Sequence, residues 1–447
     1  MYQKSHFKET MKIALPISLG QMGHILANIS DNIMLGQYGN GETIYMAAAA
    51  FASSVFFLFM LFALGVTMGI TPQIAQSRGA GNLQNINPIF QNTLLIYLGL
   101  AIVQVFIFEL LPLGFDYFKQ PTEVIRIGTP YFKIIGYSIV PIIIFQLGKQ
   151  YAEGFEDTFW AMVISLGSNL LNIFLNYLMI FGKMGFREQG INGAGYATLI
   201  SRCVMAFFMI WYVFKNKSLR QHFQLRFNKL SKHYLSEGLR YSIPMGIQFT
   251  VESSAFVFAT ILVGTLGTTT LAAHQIGFNV AAFTFILTTG LSAAATVRIG
   301  YFYGASQIED ANDAFKTTLK TVIIYMAFTA VMINLLKSYI PTLYNVSDTN
   351  IAETTTNLLV IASMFQLFDG IQIVCMGALR GIGDIKIPMW ISVLAYWVIC
   401  LPIGYYITFE YGLGVSGIWY GFVAGLSVSA LLLYFRFMKL MNTLSFN

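Results

Sequence analysis

Residues 241–259 read YSIPMGIQFTVESSAFVFA, a run long enough to cross a bilayer that holds one charge, Glu252. A helix of about 20 apolar residues spans the hydrocarbon core. A carboxylate inside that core costs roughly 3 kcal/mol or more unless it is paired or protonated. The rest of the chain has the same character: of 447 residues, 56% are hydrophobic, 15% aromatic and 10% charged. Soluble domains carry about 25% charged residues, so the composition excludes a soluble fold and implies many spans.

Apolar segments of spanning length fall at 13–36, 45–70, 89–113, 130–153, 159–182 and 190–214, then at 240–266, 272–297, 317–344, 355–377, 388–409 and 414–437. The expected fold is therefore an all-α integral membrane protein of twelve transmembrane helices. The first segment follows basic residues, as a signal peptide would, but it lacks a small-residue cleavage site and reads as span one. With the N-terminus inside, 18 Lys and Arg fall on the inner side, Arg298 and Arg380 among them, against 6 outside; Lys149 and Arg202 lie within spans. Both termini are expected in the cytoplasm, and the net charge of +6 is read as topology, not as nucleic-acid binding. Cys203, Cys375 and Cys400 all sit in apolar segments and form neither a disulfide framework nor a metal spacing.

Working outward from 241–248, YSIPMGIQ matches IALPISLG at 13–20, which places Pro244 opposite Pro16 at an offset of 228. Residues 62–82 resemble 288–307 at a similar offset, and GINGAGYA (190–197) resembles GVSGIWYG (414–421). The expected organisation is an N-terminal lobe at 1–214, a cytoplasmic linker at 215–238 and a C-terminal lobe at 239–447. Six spans per half make the two lobes parallel repeats related by a pseudo-two-fold axis, an arrangement suited to alternating access.

No phosphate-binding GxxxxGK[ST] loop, paired metal spacing or nucleophile elbow occurs, so neither an enzyme nor an ATP-driven pump is expected. Pumping would then draw on an ion gradient through buried acids. Glu252 lies near the middle of span seven, Asp369 near the middle of span ten and Asp31 in the outer half of span one. Burial disfavours a carboxylate's charged form, so such a group can alternate between protonated and charged states; its oxygens also suit Na⁺. Asn172 and Asn176 share a face of span five, and Thr198 in span six lies at a depth similar to Asp31. Polar groups in hydrocarbon seek one another, so these four could form an oxygen-rich pocket. Pro16 and Pro244 are candidate helix-bending positions.

On the stretches SDNIMLGQYG, TPQIAQSRGAGN, SNLLNIFLNYLMIFGKMG, LAAHQIGFNV, LSAAATVRIGYFYG and GALRGIGDIKIPM, in this order over nearly the whole chain, the sequence resembles the MATE (multidrug and toxic compound extrusion) family, NorM-type branch. The resemblance implies two six-helix lobes exporting cationic, often aromatic compounds in exchange for Na⁺ or H⁺, with no cofactor. It assigns an N-lobe cation site to Asp31, Asn172, Asn176 and Thr198, and C-lobe roles to Glu252 and Asp369. Phe365, one turn before Asp369, offers no oxygen, so Gln248 and Gln275 are the candidate further ligands. Expected partners are the lipid bilayer and small organic cations, with the chain a monomer in a bacterial inner membrane. The rival reading is a lipid-linked-precursor flippase of the same superfamily. That function would place basic residues in the cavity, where only Lys149 and Arg202 are candidates against three acids.

Overall fold

The computed structural model describes residues 2–38, 43–222, 230–346 and 348–445, and among them there is no strand. Helix α1 (Tyr2–Gln37) carries span one. Helices α2 (Thr43–Thr67) and α3 (Ile70–Gly79) follow, then α4 (Ile86–Leu110), α5 (Thr122–Tyr137), α6 (Ile139–Gly154), α7 (Phe159–Phe181), α8 (Gly190–Lys215) and the single turn α9 (Lys217–Arg220). The second half opens with α10 (Lys232–Gly264), α11 (Thr268–Gly304), α12 (Ile308–Leu336) and the turn α13 (Ile340–Leu343). It closes with α14 (Thr349–Gly381), α15 (Lys386–Val393), α16 (Leu401–Phe409) and α17 (Val415–Ser445). Among the described residues, eleven helical runs are long and apolar enough to cross a membrane, and α1, with 36 residues, is a further helix of spanning length. Span four is broken between α5 and α6 at Ser138, three residues before Pro141, whose ring clashes with the carbonyl four positions back. Span eleven contains a π-helical segment, Leu394–Cys400, just before Pro402, which has no N–H to donate.

By contact the chain forms two units. One comprises Met1–Ser18, Ala75–Gly81 and Ile247–Asn447; the other comprises Leu19–Ile74 and Asn82–Gly246. This division departs from the boundaries expected from sequence: the first turns of α1 and the end of α3 group with the C-terminal half, and residues 239–246 with the N-terminal half. Helices α1 and α10 each pass from one unit to the other two residues after their internal proline, Pro16 or Pro244. The expected linker at 215–238 contains α9 and the start of α10, and its residues 223–229 lie outside the described ones.

The first unit is built on a close seam between α11 and α14. Ser292, Thr296 and Gly300 on α11 face Gly377 and Gly381 on α14, a spacing of small residues that lets backbones approach. Ser292 Oγ donates to the Ile373 carbonyl at 2.6 Å and Thr296 Oγ1 to that of Gly377 at 2.9 Å. Arg298, counted above with the inner-side loop charges, is instead buried. Its guanidinium donates to the His6 carbonyl, Thr10 Oγ1 and His6 Nδ1 at 2.7–2.8 Å, which holds the first turns of α1.

That clasp requires neutral His6, because a protonated Nδ1 would donate towards the arginine. Burial, reinforced by Arg298 and opposed by Asp313, lowers the His6 pKa from its ordinary 6.5. A group with a lowered folded-state pKa stabilises fully above the unfolded value and loses that contribution as pH falls below it. Amide exchange at residues 6–12 is therefore expected to accelerate when pH drops from about 7.5 to about 5.5. Protection that stays the same after correction for intrinsic rates would rule the clasp out as pH-sensitive.

The second unit packs around Tyr97, Phe115, Phe132 and Tyr151, all fully buried. The repeat extends to the loops that follow α6 and α14. After α6, Asp157 accepts from Tyr212 and from Asn216 Nδ2; after α14, Asp384 accepts from Arg436 Nε at 2.8 Å.

Candidate functional site

In the second unit, α1, α7 and α8 bring Asp31, Asn172, Asn176 and Thr198 into one hydrogen-bonded chain. Asn176 donates to Asp31 Oδ1 and lies 3.3 Å from Asn172 Oδ1, while Asn172 Nδ2 points at Thr198 Oγ1 at 3.4 Å. Both asparagines are buried, and Asp31 and Thr198 are half-buried. The i, i+4 spacing of Asn172 and Asn176 aims both amides the same way, so the register of α7 decides the cluster. Asn176 Oδ1 is buried and accepts no hydrogen bond, although a buried polar atom is ordinarily satisfied. The cluster therefore offers oxygen with spare coordination capacity. Arg202 on α8 lies near enough for its charge to act on Asp31, but it bonds elsewhere: Nη1 donates to Ser138 Oγ at 2.6 Å, and the guanidinium sits 5.4 Å from the Phe56 ring centre.

In the first unit, Gln248 and Glu252 are one turn apart on α10. Glu252 Oε1 accepts from Ser392 Oγ of α15 at 2.8 Å, and Ser392 Oγ accepts from Gln248 Nε2 at 3.2 Å. Asp369 on α14 is half-buried, and its charge and that of Glu252 act on each other. Phe365 packs in an aromatic core with Trp419 and Phe422, ring centres 5.6 and 6.1 Å away. Gln275 is exposed and has no hydrogen bond to Glu252; the structure does not bring it into this cluster. Its neighbour on α11, His274, turns inward instead and accepts from Trp419 Nε1 at 3.0 Å.

Sequence reasoning passed over several groups here. Arg380, counted with the inner-side loop charges, is buried at the end of α14, and Nη2 donates to Gln248 Oε1 at 3.1 Å. Gln372 and Tyr396 are buried and hydrogen-bond each other at 3.2 Å. A signal was present: Asp369, Gln372, Met376 and Arg380 recur at helical spacing and form one stripe of α14. A fourth membrane acid, Glu153 on α6, is buried in the second unit, with Lys149 Nζ 3.5 Å away. Arg298 and Arg380 thus join Lys149 and Arg202 as basic groups that are buried or half-buried within the helix packing. Among the described residues, no cluster of three or more His, Cys, Asp or Glu could hold a metal ion.

Half-buried acids in both units, each met by a neutral donor on helices of apolar composition, are what a membrane carrier would need. Comparison with known proteins agrees. The MatE family model matches twice, over residues 16–178 and 244–406, two halves displaced by the same 228 residues as Pro16 and Pro244. A probable multidrug resistance protein NorM of Rhizobium meliloti (strain 1021) is 31% identical over 99% of this chain and 95% of its own length. One of the same description from Xanthomonas axonopodis pv. citri (strain 306) is 29% identical over 97% and 94%. A solved structure of a multidrug-resistance MATE-family transporter in an outward-facing conformation superposes with a TM-score of 0.90 at 21% identity, over 99% of this chain and 97% of that one. The chain belongs to the MATE family, whose members are transporters.

Proposed function

We propose that this protein is a secondary multidrug efflux antiporter that exports lipophilic organic cations in exchange for Na⁺ or H⁺ by alternating access. One observation carries the reading: Asp31 and Glu252 are hydrogen-bonded by Asn176 and Ser392, neutral donors, and neither is closed off by a direct ion pair. A carboxylate in that setting retains its attraction for an incoming cation or proton. In the second unit Asp31, Asn172, Asn176 and Thr198 supply oxygens of the type that Na⁺ prefers. In the first unit Glu252 and Asp369 are the acids, with Gln248 as a supporting group. The names of the NorM relatives support a drug-exporting role. Bends at Pro16 and Pro244, where α1 and α10 change unit, are the proposed points of movement. The remaining parts of the proposal are a monomer in the inner membrane with both termini in the cytoplasm.

Efflux of ethidium from cells expressing the protein tests the reading. An inward Na⁺ gradient, then an inward H⁺ gradient without Na⁺, is imposed, and at least one is expected to drive efflux. Failure under both would bring forward the flippase alternative, for which Arg202 and Arg380 would be the groups facing a phosphate.

A further inference from the structure

The export mechanism leaves two buried charges of the first unit unused: Arg298, which clasps the first turns of α1, and Arg380. Arg380 is 5% exposed, three turns along α14 from Asp369, and no carboxylate bonds to it directly. From its guanidinium a hydrogen-bond chain runs in a single direction: Arg380 Nη2 to Gln248 Oε1, Gln248 Nε2 to Ser392 Oγ, Ser392 Oγ to Glu252 Oε1, at 3.1, 3.2 and 2.8 Å. Every donor points towards the acid, so each bond polarises the next and the chain is strongest when Glu252 is charged. Arg380 Nε is buried and has no acceptor, so the guanidinium is not saturated by its fixed partners. Arg380 is also close enough for its charge to act on Glu252.

The second unit shares part of this arrangement. Arg202 is held by Ser138 and by the Met60 sulfur at 3.7 Å, as Arg380 is held by Gln248 and by the Met376 sulfur at 3.2 Å. In each unit an arginine acts on the acid without bonding to it, but only in the first does a hydrogen-bond chain join the two. A guanidinium in direct contact would form a bidentate pair and shut the carboxylate to other cations. Held at one remove, it weakens cation binding without blocking the site.

We propose that Arg380 is a positioning residue of the C-terminal acid site. Through Gln248 and Ser392 it orients Glu252, and its charge keeps the coupling cation's affinity low enough for release in each cycle. This rests on the reading that Glu252 takes the coupling cation.

The test uses the full chain in proteoliposomes and measures the half-saturating concentration of the cation, Na⁺ or H⁺, that the gradient experiment identifies. Arg380→Gln is expected to lower that concentration on the order of tenfold, the effect of one charge at this range, and to slow turnover because release slows. Arg380→Lys keeps the charge and is expected to stay within about threefold of wild type. Ser392→Ala keeps the Arg380 charge but cuts the chain and removes a donor that favours charged Glu252, so half-saturation should fall about threefold, less than for Arg380→Gln. If Arg380→Gln does not fold, Ser392→Ala decides. Half-saturation unchanged in the variants that fold, with only yield reduced, would make Arg380 a packing residue and overturn the proposal. Wild-type transport that responds to neither cation would remove the antiport reading as well, which separates the two failures.

Discussion

Glu252→Gln is expected to reduce gradient-driven efflux to less than about a tenth of wild type, equivalent to a barrier raised by roughly 1.4 kcal/mol or more, with the protein still folded and inserted. Glutamine retains the shape, and its amide still allows a hydrogen bond with Ser392, so the chain from Arg380 loses only its charged terminus. What disappears is the one charge in residues 241–259, the group that can alternate between empty and occupied. Asp369→Asn and Asp31→Asn are expected to impair export in the same sense. Fluorescence-detected size exclusion in detergent establishes insertion and folding for each variant before transport is compared. Wild-type efflux from all three would eliminate the carboxylate mechanism.

Gly377→Val is expected to have the largest effect on stability. A Cβ at Gly377 would lie 2.3 Å from the Ser292 carbonyl oxygen and 2.6 Å from Ser292 Oγ, and the obstructing oxygen is backbone, which cannot swing aside. Relief requires α11 and α14 to separate, with loss of the Ser292–Ile373 and Thr296–Gly377 bonds. Forced overpacking typically costs about 1–3 kcal/mol, and a backbone clash at a helix seam belongs at or above the upper end. The readout is the melting temperature in detergent, compared with Gly99→Ala. Gly99 lies within α4, and a methyl group there would have nothing within 4 Å of it, so alanine should be neutral or stabilising through helix propensity. A Gly377→Val protein as stable as wild type would show that the seam is looser than its geometry implies.

Much of the candidate site could be read from the chain, because its members announce themselves by chemistry. Asp31, Glu252 and Asp369 stand out where lipid tolerates few charges, and the paired asparagines of α7 share a face whatever surrounds them. Arg380 and Arg298 were misplaced for a physical reason. Arginine at the end of a span obeys the positive-inside pattern whether it reaches solvent or turns inward, and only packing distinguishes the two. Gln275 erred in the opposite direction: its depth suited the site, but the rotation of α11 points His274 inward and leaves Gln275 exposed.

The sequence by itself determined the number of crossings, the helical class and the internal repeat, since span length and polarity are local properties and Pro16 and Pro244 mark equivalent points. Only the tertiary structure decided which unit the ends of α1, α3 and α10 join, and which polar groups meet. The bond between Arg380 and Gln248 links residues 132 positions apart. Such a contact depends on the rotation of two helices about their own axes, which packing against their neighbours sets and which no local pattern encodes.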